Sequence, residues 1–99
     1  MIDMINVERF ECEDKYEAEK LASLTGSAKD QSTYIRDILD VIENEIVVIL
    51  KDRTCHCVLM KDNDTAKRLN RLLSDLLQGK KIISQSRYHD CTIEIVMSE

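Results

Sequence analysis

Apolar side chains recur along this chain with two periods, and the switches between them mark its elements. The clearest element is Asp64–Gly79, DTAKRLNRLLSDLLQG. There Leu69, Leu72, Leu73, Leu76 and Leu77 follow the i, i+3, i+4, i+7, i+8 spacing of one helical face. Asp64 or Thr65 offers a side-chain oxygen to the free amides of the first turn, and Gly79 suits the left-handed position past the last one. On either side the period shortens to that of strands. Glu45–Leu50 is nearly all β-branched, Lys51–Thr54 is a polar turn and Cys55–Met60 returns, so the three read as a hairpin. Residues 81–87 form a strand that turns polar, as an edge strand does, and Tyr88–Asp90 reverses the chain. Residues 91–97 then alternate cleanly, with Cys91, Ile93, Ile95 and Met97 inward.

The first half is less regular. Residues 2–12 look extended, with Ile5 and Val7 on one face and Met4 and Phe10 on the other, the pattern of an edge or inter-subunit strand. Glu13–Thr25 reads as a peripheral helix, with Asp14 near its start, a thin apolar side of Ala18, Leu21 and Ala22, and Gly26 past its end. After the polar connection Gly26–Gln31, Ser32–Asn44 reads as a second helix. Ile35, Ile38, Leu39 and Ile42 lie at helical spacing, widened by Tyr34 and Val41, and Asn44 can end it in the left-handed conformation. The order β-α-α-β-β-α-β-β predicts an α+β fold. Two hairpins would form a mostly antiparallel four-stranded sheet covered by helices. One small domain over residues 1–99 is expected, with a strand and two helices in 1–44 and a ββαββ core in 45–99.

Composition narrows the class without naming an activity. A chain with 43% hydrophobic and 33% charged residues is an ordinary soluble globular one. Its longest apolar run, Ile46–Leu50, cannot span a bilayer, and its N-terminus lacks the basic and apolar regions of a secretory signal. Four cysteines without such a signal point to a reducing compartment, so a cytoplasmic protein with free thiols and no membrane partner is expected. Charge is unevenly spread. Residues 1–50 carry twelve acidic and five basic side chains, and residues 51–90 carry five acidic and nine basic. The net charge of −5 disfavours non-specific nucleic-acid binding, which needs concentrated Lys and Arg. Glu11, Glu13, Asp14 and Glu17 form the densest negative run and are the candidate partner-binding residues.

Two clusters could carry chemistry. Cys55 and Cys57 share one face of a strand, with His56 pointing away, and His89 and Cys91 lie beside the last turn. If both turns met at one end of the sheet, the four residues could hold zinc tetrahedrally, although C-x-C on a strand is not the usual C-x₂₋₄-C knuckle. The competing reading is free thiols and surface histidines. The second cluster is basic. Lys61, Lys67, Arg68 and Arg71 gather about the start of the leucine helix, where a phosphate-bearing ligand could contact them, or they could form a solvated helix face. With two glycines there is no phosphate-binding loop, Ser84 and Ser86 beside His89 and Asp90 on one strand do not make triad geometry, and no catalytic residues are assigned.

The strand at 4–10, a helix ending LASLTG and a following segment Ser32-Thr33-Tyr34-Ile35-Arg36-Asp37-Ile38-Leu39 together resemble a ribbon-helix-helix DNA-binding domain. HDCTIEIVM, residues 89–97, is similar to the closing strand of the regulatory domain in nickel-responsive members of that family. The resemblance implies a transcriptional regulator whose strand pairs with a second chain and places Asn6 and Glu8, or Arg9, in the major groove. The chain departs from the family in the longer connection Ser27–Gln31 and in Glu8, Glu11 and Glu13 on and beside the ribbon. From the residues themselves, small size, an acidic first half and the missing enzyme signatures favour a non-enzymatic regulatory or inhibitory module. Such a module would be homodimeric, bind a protein partner and require no cofactor. Accessory and anti-defence proteins of mobile elements are often of this size and charge. A DNA-binding regulator and a sensor of a phosphate-bearing ligand are the alternatives.

Overall fold

Two hairpins organise the chain, and each acquires a third strand from the N-terminal half. A computed structural model describes residues 5–27 and 35–98. Among these the order is β1 (Ile5–Glu11), α1 (Lys15–Ser27), β2 (Ile35–Ile38), β3 (Glu45–Leu50), β4 (Cys55–Leu59), α2 (Asn63–Leu77), β5 (Ile82–His89) and β6 (Thr92–Ser98). The fold is α+β, as expected, but the single four-stranded sheet is not formed. Two three-stranded antiparallel sheets take its place, ordered β1-β6-β5 and β2-β3-β4. The reason is that β1 occupies the edge of β6 and β2 the edge of β3, so the hairpins do not join each other side by side. They meet at one point, where Cys12 and Met60 bridge beyond the ends of β1 and β4.

The expected helix Ser32–Asn44 is corrected. Its described part contains strand β2 and a tight turn. Ile35 pairs with Leu50 and Ile38 with Val48, and the register slips between Ile35 and Asp37. A bulge adds one residue to a strand, so side chains three apart can share a face, which in a regular strand needs even spacing. The i, i+3 isoleucines that suggested a helix are therefore core residues of a bulged strand. This removes the second helix on which the ribbon-helix-helix likeness depended. The left-handed residue of the following turn is Glu43 (φ 56), not Asn44, whose side chain instead donates to the Met60 carbonyl at 2.7 Å. Residues 2–4 of the expected first strand, the connection 28–31 and positions 32–34 lie outside the described residues.

The remaining expected elements form with shifted boundaries. The leucine helix α2 is capped by Asp62 rather than by Asp64 or Thr65: its carboxylate accepts from the Thr65 amide at 2.8 Å. The helix ends as a Schellman motif, with Gly79 at φ 73, its amide on the Leu76 carbonyl and that of Lys80 on the Asp75 carbonyl. Helix α1 is not peripheral. It runs through Gly26 to Ser27, and Ala18, Leu21 and Leu24 sit in the core with Glu17 and Thr25. β1 takes a sheet edge, as expected, and pairs with β6 of its own chain. Arg53 and Asp90, at φ 73 and 57, make the two remaining hairpin turns without glycine.

One apolar cluster fills the space between the sheets and helices. Phe10, Ile93, Ile95 and Met97 come from the first sheet, Ile46, Val48, Val58 and Met60 from the second, and Leu69, Leu72 and Leu73 from α2. Ile95 is completely buried, whereas Val7, on the other face of the same sheet, is 46% exposed. Ile95→Ala is expected to cost about 3 kcal/mol and Val7→Ala under about 1 kcal/mol in urea unfolding at constant m-value.

Candidate functional site

Backbone bonds at the Cys12–Met60 bridge gather seven exposed carboxylates at one end of the molecule. The Cys12 amide donates to the Cys91 carbonyl at 2.7 Å, bringing the turn with Asp90 against the end of β1. The Glu13 amide donates to the Leu59 carbonyl at 3.0 Å and the Lys61 amide to the Glu11 carbonyl at 2.9 Å, so the ends of β1 and β4 lie together. The Asn44 side chain on the Met60 carbonyl and the Asn63 side chain on the Glu43 carbonyl bring in the β2–β3 turn and the start of α2. Glu11, Glu13, Asp14, Glu43, Asp62, Asp64 and Asp90 consequently stand on segments that these bonds bring together, and each is exposed. Lys61 neutralises one of them through a 3.1 Å ion pair with Glu11, which raises the Lys61 pKa. Asp14 and Asp62 accept from the Glu17 and Thr65 amides as helix caps, and these bonds to Thr65 hold the Asp62 carboxyl below its usual range.

Of the four acidic residues singled out in the sequence, three belong to this end and Glu17 does not. Glu17 is 6% exposed. Its carboxylate accepts from the Leu59 amide at 2.8 Å and pairs with Lys20 at 2.8 Å, while Lys20 also donates to the Cys57 carbonyl at 2.9 Å. The pair therefore covers part of the outer edge of β4, where backbone groups would otherwise lack partners. Glu43, Asp62, Asp64 and Asp90 were missed because they stand 29 or more positions beyond Asp14 in the chain. The pairing of the strand ends and the Asn44 and Asn63 side chains bring them in.

The basic cluster is divided by its contacts. Arg68 donates to the Arg9 carbonyl at 2.8 Å, approaches Glu8 at 3.8 Å and lies 4.4 Å from the centroid of the Phe10 ring, so it fastens α2 to β1. Lys61 is paired as above. Lys67 and Arg71 are exposed and make no ion pair among the described residues. Among the described residues Arg68 and Lys61 are thus engaged with β1 by separate contacts, apart from Lys67 and Arg71.

Nor do the thiols and histidines converge. Cys91 lies beside Cys12 at the Met60 end of β4, whereas Cys55 begins that strand, five residues or roughly 16 Å away. Among the described residues no group of three or more Cys, His, Asp and Glu is placed to hold a metal. Burial, with Glu17 nearby, pushes the Cys12 thiol up to about 12. The exposed Cys57 thiol is raised too, by partial desolvation and the neighbouring Glu45 and Cys55. His56 reaches Thr54 at 3.0 Å, and the Thr54 hydroxyl donates to Asp52 at 2.6 Å, an arrangement that shapes the β3–β4 turn. A cleft of about 340 Å³ runs between α1 and the start of β4, lined in part by Tyr16, Lys20, His56 and Cys57. No helix among the described residues is long and apolar enough to cross a membrane.

Comparison with protein-family models, curated proteins and solved structures finds no match to this chain.

Two measurements follow from these environments. At pH 8 a thiol reagent is expected to label Cys55 in the native protein and Cys12 only after denaturation, with rates read by peptide mass mapping. Glu94 bonds Arg9 and Arg87 at 2.7 and 2.8 Å, and both arginines lower its pKa from 4.5. Its stabilisation is present above pH 4.5 and lost as pH falls through the lower folded value, so Glu94→Gln should flatten the acid limb of the stability curve.

Proposed function

We propose that this chain is a non-enzymatic regulatory or inhibitory module that acts by binding another protein, and that its acidic end makes the contact. The gathering of Glu11, Glu13, Asp14, Glu43, Asp62, Asp64 and Asp90 from distant parts of the chain supports this reading. Each of those charges is exposed, and Lys61, paired with Glu11, and Arg68, which acts on Asp62, offset only part of them. A surface with that imbalance fits a basic patch on a partner, such as one that itself engages nucleic acid. Complementary fields accelerate encounter and reject partners of like sign. Glu13, Glu43, Asp64 and Asp90 are the residues expected to dominate, since Glu11 is paired and Asp14 and Asp62 serve as caps.

The test is capture from cells of the source organism on the tagged protein, followed by affinity measurement with the purified partner. A protein partner whose affinity rises at low salt is expected. Reversing Glu13, Glu43, Asp64 and Asp90 together to Lys should weaken it by about a hundredfold or more. Glu17→Gln should instead lower stability, by about 2 kcal/mol, with affinity unchanged at temperatures where the variant is folded. Retention of duplex DNA, or an affinity indifferent to the four reversals, would refute the reading.

A further inference from the structure

A second surface, remote from the acidic end in its chemistry, is the outer face of β2-β3-β4. Along β3 the side chains alternate. Ile46, Val48 and Leu50 are buried at 0, 1 and 2% exposure, which puts Glu45, Val47 and Ile49 on the opposite side. The register sets Val47 beside Cys57, Ile49 beside Cys55 and Glu45 beside Leu59. Leu39 extends β2 by donating its amide to the Val47 carbonyl at 3.0 Å, and its side chain is 42% exposed. The face is thus apolar along Val47, Ile49, Leu59 and Leu39, with the exposed Asp37 of β2 beside Ile49, unlike the uniformly polar outward face expected of a solvated antiparallel sheet. Both helices bury their apolar residues in the same cluster as Ile46, Val48 and Leu50, so they pack from the other side.

Charge at its two ends identifies the occupant. Read outward along β3, the face begins with Glu45, continues with Val47 and Ile49 and runs out at Lys51, the residue that opens the following turn. Neither Glu45 nor Lys51 has an ion-pair partner among the described residues. An acidic–apolar–apolar–basic row is complementary to itself when reversed. We propose that a second copy of this chain packs on this face, related by a two-fold axis that lies between the sheets, runs perpendicular to β3 and passes level with Val48. In that arrangement Val47 meets the partner's Ile49, Glu45 meets the partner's Lys51, and Cys57 faces the partner's Cys55. A two-fold interface requires this self-complementarity, because every contact occurs twice. The alternative axis, parallel to β3, would set Glu45 against the partner's Glu45 and is disfavoured by like charge.

The footprint is roughly 20 by 14 Å at ordinary strand rise and spacing. That is small beside the ~800 Å² per partner of a standard stable interface, so the dimer is one that dissociates on dilution.

Sedimentation velocity from about 1 µM to about 1 mM tests the proposal, with circular dichroism confirming that each variant is folded. The mass is expected to pass from monomer to dimer across this range. Glu45→Lys and Lys51→Glu should each raise the dimer dissociation constant by about tenfold or more, and the double exchange should restore it. A short bis-maleimide should trap a covalent dimer at concentrations where the dimer is populated, and Cys55→Ser/Cys57→Ser should abolish that product. A monomer at every concentration would overturn the proposal. So would a dimer indifferent to the single exchanges, one that the double exchange fails to recover, or one that the cross-linker does not trap.

Discussion

Two backbone hydrogen bonds, from Glu13 to Leu59 and from Lys61 to Glu11, hold this molecule's sheets to one another. They join the two three-stranded sheets at the edge of the apolar cluster that both sheets line. The Cys12–Met60 contact between them spans 48 positions, so it is reached only after long loop closure, and the apolar cluster behind it supplies the compensation. At that point the Cys12 thiol lies against the Met60 thioether at 3.9 Å, both buried, while the carboxylates of the surrounding turns point to solvent. The same junction therefore closes the core and creates the charged end.

Helix α1 completes the closure by polar means. Its apolar side is thin, yet Ala18 and Leu21 are sealed, because the remaining inward positions carry groups that find partners. Glu17 and Lys20 engage the outer edge of β4. Thr25 accepts its place by donating to the Leu21 carbonyl at 2.9 Å and lying 2.9 Å from the Ser86 hydroxyl of β5. Buried polar side chains cost stability only when unpaired, and here they join α1 to both sheets.

Local periodicity was a sound guide wherever one element decided its own conformation. The leucine stripe of α2 and the alternation of Ile93, Ile95 and Met97 are such cases, and their buried faces are those the pattern assigned. It misled at Ile35 and Ile38, where a bulge gives a strand the spacing of a helix. The thin apolar face of α1 concealed its burial for a different reason: hydropathy does not register that Glu17 meets an amide 42 residues away. The acidic site was half legible. Glu11, Glu13 and Asp14 are consecutive enough to be noticed, whereas Glu43 and Asp90 become their neighbours through strand pairing that no local window contains.

The three hairpin turns, with Glu43, Arg53 and Asp90 at φ 56, 73 and 57, carry a further implication. Side chains other than glycine pay roughly 1–2 kcal/mol in the left-handed region, and aspartate less than glutamate or arginine. The strain coincides with charge at the tips: two carboxylates at the Cys12 end of the molecule, and a guanidinium beside Lys51 at the other end of β4. Glycine would relax the backbone at each tip and remove a charge there. The β2–β3 and β5–β6 tips are therefore acidic, and the β3–β4 tip carries two basic side chains with Asp52 between them. A charged surface approaching the molecule would therefore meet its strained turns differently according to its sign, before any side chains touched.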